Sequence, residues 1–262
     1  MARRIVITSG KGGVGKTTLT ANLGTALAIK GASVCLIDAD IGLNNLDVVM
    51  CIENKVVYDI LDVSKGKCRP KQALVKDLML PNLYILPSTK GGSDNEITTT
   101  DFENIAFNLD NYFDYILIDC PAGMDIGFHR AVVSSTEAIV VTTPNISAIR
   151  DADKTIANLS TYKLTDINLV INMMRGDLVA TGEMFSVADI SRLLRISPIG
   201  VIPADDDVIL SNATTVNDKT RSRKAFLSLA DNLMGTSNIV YDCSSKYKGT
   251  IGKLRSKIKR IL

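Results

Sequence analysis

The sequence predicts an α/β fold: a doubly wound, mainly parallel sheet with helices on both faces. Three observations carry that expectation. Short runs that are apolar on both faces alternate with longer helical patterns almost from end to end. Such runs suit strands covered by helices on both sides. Strand–helix alternation implies right-handed crossovers between parallel neighbours. A glycine-rich loop also follows the first run and opens the first helical pattern.

The strand runs are Ile5–Ile7, Val34–Ile37, Leu83–Leu86, Tyr115–Ile118, Ala138–Val141, Asn168–Ile171 and Ile199–Ile202. Helix candidates between them include 16–30, 101–110, 147–161, 205–213 and 220–234. The first places Leu19, Leu23, Ala26 and Leu27 on one face and stops before Gly31. Loop-like stretches at 88–100 and 235–249 interrupt the pattern, and the second sets off a C-terminal tail. The expected organisation is a nucleotide-binding domain over 1–245 and a tail over 246–262.

Composition bounds the rest. The 262 residues are 46% apolar and 22% charged, enough to build a core and unlike a disordered chain. No apolar run reaches the 18 or so residues that a spanning helix needs. No secretory signal pattern opens the chain. Five widely spaced cysteines (Cys35, Cys51, Cys68, Cys120 and Cys243) contain no CxxC pair, which argues against a disulfide framework, a zinc site or an iron–sulfur cluster. A soluble protein of a reducing compartment is expected.

The net charge of +2 conceals an asymmetry. Residues 246–262 hold seven basic side chains and no acidic one, so residues 1–245 carry 23 basic against 28 acidic, a net of −5. In the tail Ile251, Leu254, Ile258, Ile261 and Leu262 fall at i, i+3, i+7, i+10 and i+11, one face of a helix, with lysines and arginines around the rest. A basic amphipathic segment of this kind suits the interface of an anionic bilayer.

The loop Gly10-Lys11-Gly12-Gly13-Val14-Gly15-Lys16-Thr17-Thr18 has the strand–loop–helix context that a phosphate-binding loop requires. Its glycines let backbone N–H groups converge on one concavity, where the helix N-terminus adds partial positive charge. Lys16 is expected to reach the β- and γ-phosphates of ATP and Thr17 to ligate Mg²⁺. Two further strands end in acids, Asp38-Ala39-Asp40 and Asp119-Cys120-Pro121-Ala122-Gly123. Asp119 and Asp38 are assigned to the magnesium shell, Asp40 to positioning the attacking water, and the Gly123 N–H to sensing the γ-phosphate. Asn172, at the end of the Asn168–Ile171 strand, could pair with the adenine edge, and Ile202-Pro203-Ala204-Asp205 could flank the ring. Asn172 is followed by Met173.

These residues, with Ile41-Gly42-Leu43-Asn44-Asn45-Leu46-Asp47, Val57-Tyr58-Asp59, Ile149-Arg150-Asp151-Ala152-Asp153 and Gly200-Val201-Ile202-Pro203, resemble the ParA/MinD family of deviant Walker A ATPases from residue 2 to the C-terminus. The resemblance implies that Lys11 crosses a dimer interface to the partner's nucleotide, and that the ATP-bound homodimer attaches peripherally to a membrane. It implies a role in placing the division septum, through a MinC-like inhibitor of FtsZ assembly and a MinE-like activator of hydrolysis. It places Asn45, Ser147, Asp151 and Asp153 at a partner-binding surface. Many relatives have Asn-Arg where this chain has Asn172-Met173, which departs from the family pattern. The rival is a ParA-like DNA-partitioning ATPase, which needs basic residues on the folded body; the acidic body and the apolar-striped basic tail favour a membrane. Either a bacterial cytoplasm or a plastid stroma suits this chemistry.

Overall fold

A computed structural model of the chain describes residues 1–43, 45–92, 94–205 and 220–247. In order, its strands are β1 (Arg3–Thr8), β2 (Val34–Asp38), β3 (Val75–Lys76), β4 (Leu83–Leu86), β5 (Tyr115–Asp119), β6 (Glu137–Thr142), β7 (Asp166–Met174) and β8 (Pro198–Pro203). They form one sheet in the order β3-β4-β2-β5-β1-β6-β7-β8. Every pairing is parallel except β3 with β4. Each of the seven apolar runs is thus a strand. The additional strand, β3, is a two-residue edge piece, too short to show a period.

The helices are α1 (Lys16–Ile29), α2 (Leu46–Val49), α3 (Ile60–Ser64), α4 (Pro70–Ala73), α5 (Thr99–Leu109), α6 (Ile126–Val133), α7 (Ile146–Leu159), α8 (Gly176–Ala180), α9 (Val187–Leu194) and α10 (Arg221–Met234). Four of the five helix candidates named above correspond to α1, α5, α7 and α10 within about two residues at each end. The fifth, 205–213, lies almost wholly outside the described residues, as do Asn44 and the tail from 248 onward, including Ile251, Leu254, Ile258, Ile261 and Leu262.

Two apolar layers sandwich the sheet. One packs Leu19, Leu23 and Leu27 of α1 with Phe226 and Leu229 of α10 against Ile5, Leu36 and Leu117. The other packs Phe102 of α5, Phe128 of α6, Ile149 of α7 and Ile190 of α9 against Val6, Ile116 and Val140. Because both faces are covered, the central strands are buried along nearly their whole length. Helix α1 ends where Gly31, at φ +94°, lets the Gly31 and Ala32 N–H groups turn back to the Ala28 and Leu27 carbonyls. The strand order reverses direction around β1, with β5 on one side and β6 on the other, so the loop after β1 sits at the topological switch point where open α/β sheets bind ligands. Among the described residues, no helix is long and apolar enough to cross a membrane.

Candidate nucleotide site

The glycine-rich loop leaves β1 at Thr8 and enters α1 at Lys16. Gly13 and Gly15 take φ values of +77° and +91°, a region that only glycine enters without strain, and Gly15 caps α1 in that conformation. Gly10 has a different reason: a Cβ there would approach the Asp151 carbonyl oxygen to 2.5 Å, because the loop runs directly under α7. Lys16 is buried, with its ammonium 3.3 Å from Ser9 Oγ, and Ser9 Oγ in turn donates to the Lys11 carbonyl at 2.7 Å. The loop is therefore braced from within before any phosphate arrives. Val14 is buried, while Lys11, Gly12 and Gly13 are exposed and Thr17 and Thr18 are half-buried. Lys11 Nζ donates to Ser147 Oγ of its own chain at 2.8 Å, and Asn145 Oδ1 accepts from both the Ser147 hydroxyl (2.8 Å) and its backbone N–H (2.9 Å).

The two acids at strand ends are brought together by register. Asp38 of β2 and Asp119 of β5 are direct partners across the parallel pair, and both are buried. Asp38 accepts from the backbone N–H of Asp40 (3.0 Å) and of Leu46 (3.1 Å), so it also shapes the loop that carries Asp40. Asp119 accepts from Thr20 Oγ1 at 3.1 Å and from the Thr17 hydroxyl. Loss of water, reinforced by the charge of Asp119, pushes the Asp38 carboxyl well above the usual carboxylate range. Asp119 is pushed up by burial too, less so because Thr17, Lys16 and Thr20 favour its charged form. Asp40 stands half-buried just beyond β2, close enough for its charge to act on Asp38 and Asp119, its carbonyl accepting from Ser88 Oγ at 2.9 Å. Gly123, at φ +98°, lies on the loop between β5 and α6, and the Cβ of neighbouring Ala122 lies within 4 Å of where a side chain on Gly12 would start.

This donor set fits a magnesium nucleotide. Two adjacent buried carboxylates whose charge is poorly solvated, with a buried lysine and two hydroxyls beside them, call for a hard cation and an anion together. Among the described residues no group of three or more acids, histidines or cysteines could hold a metal by itself. Magnesium usually takes one or two carboxylates and draws its remaining ligands from water and phosphate.

The residues expected around the base are placed differently from a simple edge-reading pair. One N–H of the Asn172 amide goes to the Val14 carbonyl at 2.9 Å, and its Oδ1 accepts the Met173 N–H at 2.9 Å. Asn172 thus ties β7 to the phosphate loop, and its second N–H is the donor it can still offer a base. Met173 sits at φ +58°, where β7 bulges away from β8. Pro203 ends β8, half-buried, but the Asp205 carboxylate is buried and accepts the Ser222 N–H at 2.9 Å, anchoring the start of α10.

Of the residues expected at a partner surface, Asn45 and Asp153 are exposed and Asp151 is half-buried beside Lys154, whereas Ser147 is held by Lys11. His129, the single histidine, lies on α6 with Nδ1 3.1 Å from the Tyr162 hydroxyl. Ser9, Thr20 and Asn145 were not foreseen. Thr20 alone left a signal in the sequence, since it lies one helical turn beyond Lys16 and Thr17 on the same face.

Comparison with known proteins points the same way. The family model CbiA, described as the CobQ/CobB/MinD/ParA nucleotide binding domain, matches residues 5–216. The septum site-determining protein MinD of Thermotoga maritima is 45% identical over a 270-residue alignment covering 99% of this chain and 100% of that protein. A chain from the MinC:MinD cell division protein complex of Aquifex aeolicus superposes with a TM-score of 0.82 at 42% identity, covering 90% of this chain and 97% of that one. The septum site-determining protein MinD of Pyrococcus horikoshii, solved with Mg-ADP, superposes with a TM-score of 0.80 at 30% identity, covering 89% of this chain and 96% of that one.

Proposed function

Because the chain belongs to the CobQ/CobB/MinD/ParA nucleotide-binding family, and within it to the septum site-determining MinD ATPases, we propose that it is an ATP-driven dimerisation switch that loads onto an anionic membrane and places the division septum. The observation that carries this reading is that Lys16, Thr17, Asp38, Asp40 and Asp119 lie close together at the ends of β1, β2 and β5.

Lys16, inside the loop, binds the phosphates of the chain's own ATP, with the N–H groups of Gly12–Thr18 around it. Thr17, Asp38 and Asp119 hold Mg²⁺, which when bound neutralises charge developing on the phosphates. Asp40 orients the attacking water. Lys11 leaves Ser147 and reaches the nucleotide of a second copy, so the dimer is complete only when both γ-phosphates are present. Loss of the γ-phosphate removes what Lys11 and the Gly123 N–H were bonded to, and the dimer parts. The solved relative with Mg-ADP supports the cofactor pair.

The tail supplies the membrane end of the switch. Each cation close to an anionic surface contributes about 1 kcal/mol, yet a helix shorter than about 12–15 residues is marginal in water. One tail therefore binds weakly, whereas two tails joined in a dimer gain effective concentration and bind orders of magnitude better. The MinC:MinD complex of the Aquifex relative supports a MinC-like inhibitor as one partner, recruited to the surface near Asn45, Asp151 and Asp153, with a MinE-like activator as the other. The inner face of a bacterial or plastid bounding membrane is the site of action.

Co-sedimentation with anionic vesicles tests this reading, for the full chain and for residues 1–249, in ATP and in ADP, with duplex DNA as a competing ligand. Pelleting that requires ATP and residues 250–262 is expected. Pelleting indifferent to nucleotide, or ATP-dependent binding to DNA instead of vesicles, overturns it.

A further inference from the structure

Arg130 is the largest fully buried side chain among the described residues, and nothing in the reading above uses it. It lies on α6, the helix that follows the Asp119–Gly123 loop. A guanidinium stays charged at any ordinary pH, so burying one is costly and calls for well-placed acceptors. Two of its bonds go to backbone carbonyls that belong to the site's own loops. Nη1 donates to the Ile97 carbonyl at 3.2 Å and Nη2 to the Ala39 carbonyl at 3.4 Å, with the Phe102 ring 5.8 Å away.

Ala39 is the single residue between Asp38 and Asp40. Its N–H donates to the Asp119 carbonyl at 3.0 Å, so its peptide is gripped on one side by the end of β5 and on the other by α6. Asp40 is held in turn from its own N–H, by Asp38 Oδ1, and from its carbonyl, by Ser88 Oγ. Ile97 lies nine residues beyond Ser88 in the sequence. Arg130 therefore grips the peptide next to Asp40 directly, together with the Ile97 carbonyl, and does so from the helix whose leading loop holds Gly123.

We propose that Arg130 is a positioning residue for hydrolysis: by holding the Ala39 and Ile97 carbonyls from α6 it fixes Asp40 relative to the Gly123 loop. It touches neither nucleotide nor water. The inference rests on the assignment of Asp40 to the attacking water. A displacement of about 1 Å in a positioning group can cost on the order of 100-fold in rate without weakening binding.

The experiment is single-turnover ATP hydrolysis with Mg²⁺ by the full chain, with nucleotide affinity measured separately by a fluorescent ADP, for wild type, Arg130→Met, Arg130→Lys, Asp40→Ala and the Arg130→Met/Asp40→Ala double variant. Arg130→Met is expected to slow turnover at least 10-fold while ADP affinity stays within about threefold of wild type. Arg130→Lys, which keeps the charge and one donor direction, is expected to recover part of that rate, and it serves if the methionine variant does not fold. In the Asp40→Ala background, Arg130→Met is expected to cost no further rate, because two residues acting through one step are not additive. Wild-type turnover in the folded arginine variants, a matching loss of ADP affinity, or a full further loss in the double variant overturns the proposal. If Asp40→Ala alone leaves turnover unchanged, the water-positioning assignment fails, and this inference with it. If Asp40→Ala abolishes turnover and the arginine variants do not slow it, only the role of Arg130 fails.

Discussion

The ammonium of Lys11, the lysine at the start of the phosphate loop, is hydrogen-bonded at 2.8 Å to Ser147 at the start of α7 in the same chain. The side chain assigned to a second subunit's nucleotide is therefore parked at home, on a hydroxyl that Asn145 already orients. The contact is exposed, and exposed polar contacts contribute little to stability, so Lys11 can leave it at small cost.

Ser147→Ala is accordingly expected to change unfolding free energy by no more than about 0.5 kcal/mol, the usual range at a surface site. ATP-dependent self-association should persist or tighten. Lys11→Ala should bind nucleotide and fail to associate. Loss of association in Ser147→Ala as well would mean that the serine acts in the dimer rather than as a resting place for Lys11. Light scattering in ATP and in ADP distinguishes the two.

Gly15→Ala should abolish tight nucleotide binding. At φ +91° an alanine carries a strain of about 1–3 kcal/mol, and its Cβ would sit 2.5 Å from Asn172 Nδ2, breaking the bond from Asn172 to the Val14 carbonyl. A lower unfolding midpoint and an ADP affinity reduced at least 10-fold are expected in calorimetry. Unchanged affinity would contradict the role given to Asn172 in bracing the loop.

The buried acids make a prediction about pH. Asp38 and Asp119 have carboxyls raised above their unfolded values, so they hold protons more tightly in the folded chain. Their contribution favours folding fully below about pH 4, the ordinary carboxylate value, and fades as pH rises through the raised values. Without Mg²⁺ and nucleotide, the unfolding midpoint should fall between about pH 5 and pH 8, by about 2–4 °C for each kcal/mol lost in a chain of this size. Asp38→Asn should flatten that slope, and Mg-ADP should restore the midpoint at pH 8. A midpoint that rises with pH over the same range contradicts this assignment of charge.

Gly176, the first residue of α8, lets the backbone of the C-terminal segment pass close by; a Cβ there would run into the Cys243 carbonyl. Burial pushes the Cys243 thiol up to about 12, which keeps it unreactive. Gly176→Ala should undock residues 239–247 and raise the rate of iodoacetamide labelling at Cys243 at least severalfold, read site by site by mass spectrometry. Labelling unchanged in the variant would show that α8 does not hold this segment.

The sheet was largely legible before the structure because its central strands are buried on both faces, so their apolar runs need no tertiary context to stand out. The glycine-rich turn into α1 and the position of Asp119 at a strand end were legible for a related reason: local backbone chemistry and position after a strand define them. What was not legible depends on contacts between distant parts of the chain. The two-residue β3 has no period to read. The bond from one Asn172 N–H to the Val14 carbonyl of the phosphate loop spans 158 residues. The link from Arg130 to Ala39 spans 91 residues and ends on a carbonyl, which no side-chain pattern can announce.

The mass of the full chain in solution, measured by light scattering with Mg²⁺ and a slowly hydrolysed ATP analogue, then with Mg-ADP, for wild type and Lys11→Ala, tests the switch most directly. The account predicts twice the 28.3 kDa chain mass for wild type with the ATP analogue, and a single chain mass in ADP and for Lys11→Ala in either nucleotide. A wild-type mass that does not respond to nucleotide, or a Lys11→Ala variant that doubles its mass as wild type does, would contradict it.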